Sequence, residues 1–147
     1  YELEVIRAQR KPPALPLARL SVLTRNEEQL RAVLDWQPQQ AGIELDAVYC
    51  DWEDVRRYKA AVDLARSAGK TVGLATLRIM KPGEEGLLSI IARAEPDRIL
   101  VRNLGSLQYF CEQRPELPLH GDFSLNVTNP LTASLLIKAG LRRLVPS

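Results

Sequence analysis

Residues 119–130 of the chain, LHGDFSLNVTNP, contain the pattern from which the fold can be predicted. Every second residue from His120 to Asn126 is polar, and every second residue from Leu119 to Leu125 is apolar or glycine. This alternation predicts a strand over Leu119–Leu125 with one polar face. The Asn129–Pro130 pair suits the start of a helix, because asparagine caps well and proline fits the first helical position. The stretch therefore predicts a strand that turns directly into a helix.

The same succession of a short apolar run, a polar turn and a segment with helical spacing recurs along the chain. The runs are separated by roughly 20–30 residues, which is typical of βα units. They lie at Ala18–Thr24, Leu45–Cys50, Thr71–Thr76, Arg98–Val101, Leu119–Leu125 and Arg142–Val145. Six strands alternating with five helices indicate a parallel sheet with right-handed crossovers.

Capping signals predict where the five helices begin and end. Thr24 and Glu27 have the spacing of a capping box before the first helix, and Asp51 precedes the acidic first turn of the second. The second helix is expected to end at Gly69, and the third to open near Gly83 and close before Pro96. The fourth is predicted over Ser106–Arg114 and the fifth over Pro130–Ala139.

Two α/β architectures fit this pattern: an open doubly wound sheet and most of a (β/α)₈ barrel. The first βα turn, Thr24-Arg25-Asn26, lacks the glycines of a dinucleotide-binding unit, and the chain has no P-loop. Strands inside an open parallel sheet are apolar on both faces, whereas the strand that starts at Leu119 has a polar face. A barrel interior accommodates that face better, so we predict a partial (β/α)₈ TIM-barrel-like domain.

Residues 1–16 contain three prolines and several basic residues, and we interpret them as a linker or arm that precedes a domain over residues 17–147. The chain begins without methionine and ends directly after an apolar run. We therefore expect it to be a fragment of a longer polypeptide, whose remainder is a partner.

Composition narrows the function classes only slightly. A net charge of +2 gives no argument for nucleic acid or a membrane surface. No apolar run approaches the roughly 18–20 residues of a membrane span and no signal peptide is visible, so we expect a cytoplasmic protein without membrane contact. The two cysteines, Cys50 and Cys111, form no CxxC pair and are interpreted as small buried hydrophobic residues.

Polar side chains are predicted to gather where the strands end, because the carboxyl ends of parallel strands form the active face of βα folds. Asp122 and Asn126 are our candidate catalytic residues, since neither has a capping role in the predicted strand. Candidate substrate-binding residues are Arg25, Asp51, Arg78, Arg102, Asn103 and Asn129. Asp51, Asn26 and Asn129 are also explained as ordinary helix caps, and the arginines as partners of the aspartates.

A Ser124–His120–Asp122 triad is rejected on geometry. Successive same-face residues of one strand are about 7 Å apart, too far for a chain of hydrogen bonds. His120 is the only histidine, and the chain has neither HExxH nor GxSxG. We therefore expect His120 to be a structural partner, and we find no metal-ligand set.

Five stretches of the sequence together carry a family resemblance: GDFSLNVTNPLTA at residues 121–133, LATLRI at 74–79, KPGE at 81–84, LVRNLG at 100–105, and the end of the chain. They resemble peptidase family U32, the "collagenase-like" peptidases. It runs from about Leu17 to Ser147 and is most similar to the second half of the long members.

The resemblance implies a TIM-barrel-like fold and a hydrolase or protease function. Several relatives instead carry an iron–sulfur cluster and take part in hydroxylating RNA bases or ubiquinone precursors. Their cysteine-containing signature lies downstream of the region matched here, and Cys50 and Cys111 do not correspond to it. The cofactor stays open between an iron–sulfur cluster and a divalent metal in the full-length protein. We do not expect the fragment to perform either chemistry alone.

Three functions follow. The first is a U32-type peptidase that uses Asp122. The second is a cluster-dependent enzyme acting on RNA or a quinone precursor, in which Arg25, Arg78 and Arg102 contact an anion. The third is a non-catalytic repeat that binds for a neighbouring domain. Expected partners are a peptide or RNA substrate and a second copy that pairs through open barrel edges.

Overall fold

A computed structural model describes residues 18–39 and 42–147. These residues form six β-strands, five α-helices and two single turns of 3₁₀-helix. The strands are β1 Ala18–Thr24, β2 Ile43–Cys50, β3 Val72–Ala75, β4 Arg98–Val101, β5 Leu119–Gly121 and β6 Leu141–Leu144. The α-helices are α1 Glu27–Asp35, α2 Tyr58–Ser67, α3 Glu85–Arg93, α4 Leu104–Gln113 and α5 Pro130–Lys138, and the 3₁₀ turns are Val55–Arg57 and Phe123–Leu125.

The sheet has the strand order of a barrel. Each strand pairs in parallel with the one before it, so the spatial order is β1-β2-β3-β4-β5-β6. A doubly wound sheet would reverse its order at a switch point, whereas sequential order is that of a TIM barrel. The predicted partial TIM-barrel-like fold, with six parallel strands and five helices, is confirmed.

The two faces of the sheet carry different residues. One face of the strands includes Val48, Leu74 and Val101, which belong to the main core with buried residues of the helices, such as Leu30 and Leu88. Neighbouring positions in the same strands face the other way and form a smaller cluster of Ala47, Tyr49, Ala75 and Leu100. This second cluster fills the concave side, which is the interior of the half-barrel.

Asparagines cap three of the helices. The side chains of Asn26, Asn103 and Asn129 accept hydrogen bonds from backbone N–H groups in the first turns of α1, α4 and α5. The prediction of a Thr24–Glu27 capping box was wrong, because Thr24 is buried at the end of β1 and its hydroxyl donates to the carbonyl of Tyr49.

The fifth strand, predicted over Leu119–Leu125, is shorter than expected. β5 ends at Gly121, and the amides of Leu125 and Asn126 then bond to carbonyls three residues earlier in a 3₁₀ turn. Asn126 closes this turn in the left-handed region at φ 53°, which asparagine tolerates better than most residues. The alternating pattern was therefore misinterpreted after Gly121. Local i→i+3 hydrogen bonds replace the ladder where Asp122 and Ser124 turn towards β4.

Both edges of the half-barrel are open within the described part of the chain. β1 pairs only with β2, and β6 only with β5. The predicted linker over residues 1–16 and the predicted start of the domain at Leu17 lie outside the described residues. None of the helices in residues 18–39 and 42–147 is long and apolar enough to cross a membrane.

Candidate functional site

A buried arginine joins the carboxyl ends of β2, β4 and β5. Arg102 follows β4 directly and is 5% exposed. Its Nε donates to Asp122 Oδ2 over 3.1 Å, and its Nη2 donates to Asp51 Oδ2 over 2.9 Å. Nη1 makes a further bond to the other oxygen of Asp51. The guanidinium thus binds Asp51 with two nitrogens and Asp122 with the third, as its fork geometry allows.

Arg25 completes the charge balance of this network. Its Nη1 lies 2.6 Å from Asp51 Oδ2, and its side chain is 57% exposed. Two arginines therefore face two aspartates, and the four formal charges cancel. Because buried charges are costly unless paired, this arrangement allows two carboxylates to lie side by side at the rim.

The 3₁₀ turn brings Ser124 onto the same network. Ser124 Oγ lies 3.0 Å from both Asp122 Oδ2 and the carbonyl oxygen of Arg102, so its single hydrogen is shared between two acceptors. In an extended strand these side chains could not meet. The other carboxylate oxygen of Asp122, Oδ1, accepts no hydrogen bond from the residues that the structure describes.

Ser124, His120 and Asp122 do not form a triad, but the reason differs from the strand spacing predicted from the sequence. Ser124 does contact Asp122, but His120 lies deeper in the half-barrel, where its Nδ1 is 2.5 Å from Tyr49 Oη. Burial, together with the positive charges of Arg98 and Arg143, lowers the pKa of His120 to about 4. His120 is therefore a neutral structural partner of Tyr49.

A second ion-pair cluster lies below His120 and is separate from the rim. Arg98 Nη1 donates to Asp46 Oδ2 over 2.7 Å, and Arg143 Nη1 donates to the same oxygen over 2.9 Å. The hydrogen bond from Arg98 is the main cause that lowers the pKa of Asp46 to about 2. These residues fix the register of β2, β4 and β6 at the amino-terminal side of the interior.

The other predicted site residues lie around the network without joining it. Asn103 accepts from the amide of Ser106 and donates to the carbonyl of Leu77 over 2.8 Å, so both ends of its amide are used. The side-chain oxygen of Asn129 is likewise used as a cap, over 2.9 Å to the next turn. Asn126 is exposed at the end of the 3₁₀ turn.

Arg78 is the predicted binding residue that keeps its charge available. It follows β3, is exposed, and places its guanidinium carbon 5.0 Å from the centre of the Phe123 ring. The structure shows no ion pair for Arg78 with any of the described residues. A cation over an aromatic face is held in place without being neutralised.

Two cavities open beside Arg102. The first, of about 190 Å³, lies between the ends of β2, β3 and β4 and is lined by residues that include Asp51, Trp52, Thr76, Arg78 and Arg102. The second, of about 550 Å³, lies over α4 and α5 and shares Arg78 and Arg102 with the first. We refer to them as the polar cavity and the apolar cavity.

Sequence reasoning missed two contributors to the polar cavity. Trp52 is 6% exposed, and its indole Nε1 has no hydrogen-bond partner among the described residues. Thr76 is buried, and its hydroxyl oxygen accepts the amide of Arg102 over 3.1 Å. The signal for both was their position at the end of a predicted strand, because Trp52 follows Asp51 and Thr76 is the last residue of the predicted strand Thr71–Thr76.

The residues present do not fit an iron–sulfur cluster. Such clusters are held mostly by four cysteine thiolates, and this chain has two cysteines. Cys50 is buried on β2, where burial raises the pKa of its thiol to about 11, and Cys111 lies on α4. No group of three or more histidine, cysteine, aspartate or glutamate residues in the described ranges could hold a metal ion.

Comparison with known proteins agrees with the fold. The sequence model of peptidase family U32 matches residues 51–147, which carry four of the six strands and all of Asp51, Arg102 and Asp122. The chain belongs to peptidase family U32. No curated protein matches it.

The fold is similar to that of the U32 peptidase Mk0906, with a TM-score of 0.65 and 14% sequence identity. The match covers 94% of this chain and 61% of the Mk0906 chain, so this U32 domain spans less than two thirds of that protein. At this identity the likeness supports the fold alone.

Proposed function

We propose that this U32 domain carries part of the substrate-binding and catalytic surface of a peptide hydrolase. The observation that carries the proposal is the Asp51–Arg102–Asp122 network beside the polar cavity, at the end of the barrel strands where βα enzymes place their chemistry. Membership of a peptidase family supports the same class of substrate.

Asp122 is the proposed general base. Arg102 and Ser124 both bind its Oδ2, which fixes the carboxylate and leaves Oδ1 to accept a proton from water. Asn126 lies on the same 3₁₀ turn, exposed, and its side-chain amide is proposed to bind a peptide group of the substrate. A peptide group offers one donor and one acceptor, which a side-chain amide can match.

Asp51 and Arg25 are proposed to position Arg102. Asp51 holds two nitrogens of the guanidinium, so the third nitrogen, Nε, is aimed at Asp122. Arg25 compensates the charge of Asp51 from the solvent side. Asn103 and Asn129 contribute indirectly, because the helices that they cap carry the wall of the apolar cavity.

The test is peptide hydrolysis by the complete gene product that carries this chain, measured by mass spectrometry of new amino termini from gelatin and from a defined peptide mixture. Replacing Asp122 by asparagine should lower kcat by about 10²–10⁴-fold, the usual contribution of a general base. The matched control is Asp63→Asn, which changes an exposed aspartate on α2 that pairs with Lys59.

Circular dichroism must show that both variants fold, so that a loss of rate reports on chemistry. Equal rates for the Asp122→Asn variant and the unmodified protein would remove Asp122 from the mechanism. Absence of cleavage of any peptide by the unmodified protein would overturn the proposed function itself.

A further inference from the structure

The walls of the apolar cavity include large apolar side chains that are exposed to solvent. It is lined by leucines of α4, α5 and the 3₁₀ turn, among them Leu104, Leu125, Leu135 and Leu136. Leu104 is 65% exposed and Leu135 is 60% exposed, and they lie on two different helices. A volume of about 550 Å³ is within the range of small-molecule sites, so the cavity can accept a large apolar side chain.

The charge at the mouth of this cavity is positive and unbalanced. Arg102 and Arg25 form ion pairs with Asp51 and Asp122, whereas Arg78 has no carboxylate partner in the part of the chain that the structure describes. The Phe123 ring under Arg78 holds the guanidinium at the border between the two cavities. A ligand that brings a carboxylate to this point gains a charge-assisted, bidentate contact.

We infer that the apolar cavity is a subsite for a large apolar residue with a free carboxylate, that is, the carboxyl-terminal residue of a peptide. The side chain lies among the leucines and the terminal carboxylate pairs with Arg78. Because Arg78 and Arg102 line both cavities, the preceding peptide group then reaches the polar cavity. The link to hydrolysis rests on the proposed function, whereas the binding of the carboxylate does not.

Three small probes separate the two parts of the inference in binding titrations of the full chain followed by NMR. N-acetyl-L-leucine has both the side chain and the carboxylate, N-acetyl-L-leucinamide lacks the charge, and N-acetylglycine lacks the side chain. N-acetyl-L-leucine should bind at least about tenfold more tightly than N-acetyl-L-leucinamide, because the amide cannot make the charged hydrogen bond to Arg78. N-acetyl-L-leucine should also bind about tenfold more tightly than N-acetylglycine, because N-acetylglycine has no apolar side chain to bury in the cavity.

Two variants assign these preferences to residues. Arg78→Gln should abolish the preference for acid over amide, and Leu135→Ser should reduce the preference for leucine over glycine. Both side chains are exposed, so the fold should survive either change. The matched control is Arg93→Gln, an exposed arginine at the end of α3, which should bind all three probes as the unmodified chain does.

Equal binding of the acid and the amide by the unmodified chain would overturn the inference, as would a preference that survives Arg78→Gln. Failure of the proposed function gives a different result: the probes bind as described, and the gene product cleaves no peptide. Cleavage that depends on Asp122 without any preference for an apolar carboxyl-terminal residue would leave the proposed function standing and remove the subsite.

Discussion

Removing the charge of Arg102 should be among the most destabilising single changes at the rim. In Arg102→Met the chain keeps a side chain of similar length, but Asp51 and Asp122 lose their common partner. The side chains of these three residues are 4%, 12% and 8% exposed in the order Arg102, Asp51, Asp122. Because the three side chains are largely buried, water can replace only part of the contacts that the guanidinium makes with the two carboxylates.

The expected cost is about 3–5 kcal/mol, the usual penalty for removing one member of a buried ion pair. Domains of this kind are stable by about 5–15 kcal/mol, so the variant loses a large share of the total. For a urea m-value of about 2 kcal/mol/M, the unfolding midpoint falls by about 1.5–2.5 M. Urea titration followed by circular dichroism measures the shift.

Neutralising the two aspartates should recover stability. In the triple variant Asp51→Asn, Arg102→Met, Asp122→Asn no buried charge is left unpaired, because Arg25, which loses Asp51, is 57% exposed to water. We therefore expect at least half of the loss to return. The matched control is Arg56→Met, which removes a guanidinium from a solvent-exposed pair with Asp54 and should barely move the midpoint. A loss below about 1 kcal/mol for Arg102→Met, or a triple variant as unstable as the single one, would refute the reasoning.

Three further predictions concern the interior. His120 should titrate by NMR with a midpoint at about pH 4. Because the unfolded chain takes up this proton near pH 6.5, the free energy of unfolding should fall as the pH drops from 6.5 to 4. A titration midpoint near pH 6.5 would contradict the burial of His120 against Tyr49. The Arg98–Asp46 pair contributes stability that is present above pH 3.8 and is lost as the pH falls to about 2, so acid unfolding of Asp46→Asn should show a weaker pH dependence in that window. Gly121→Ala places a Cβ 2.8 Å and 2.9 Å from two leucine side-chain carbons, and thermal unfolding should show a loss of about 1–3 kcal/mol, whereas an unchanged midpoint would mean that the leucines move aside freely.

Sequence reasoning predicted the repeating units of the fold because each unit carries its own signals. β1 and β4 begin and end at the predicted residues, and β2 and β3 differ only by one or two residues at their ends. A buried parallel strand needs a short apolar run, and Asn103 and Asn129 mark the turns that follow. Choosing a barrel over an open sheet required one further observation, the polar residues at the end of β5.

The pairings at the rim could not be predicted in the same way. Position alone placed Asp51, Arg102 and Asp122 at one edge, but which nitrogen meets which carboxylate depends on the register of three strands. The 3₁₀ turn was missed because alternation does not distinguish a strand from a turn in which only Leu125 packs inward. The apolar cavity depends on how α4 and α5 lie together, which no periodicity along either helix reveals.

The Arg102 network is better explained by positioning than by stability. Replacing a buried ion network by apolar residues is often neutral or stabilising, so the fold alone gives little reason to bury two aspartates around an arginine. The interior below is held by Arg98, Asp46 and the Tyr49–His120 pair, so the rim network is not needed to fix the strand register. It does hold Asp122 in one orientation, with one oxygen bonded twice and the other free of bonds from the described residues. A carboxylate held in one orientation by Arg102, which lines both cavities, fits the proposed role of Asp122 as a general base, whereas a purely structural ion pair would have no need of this orientation.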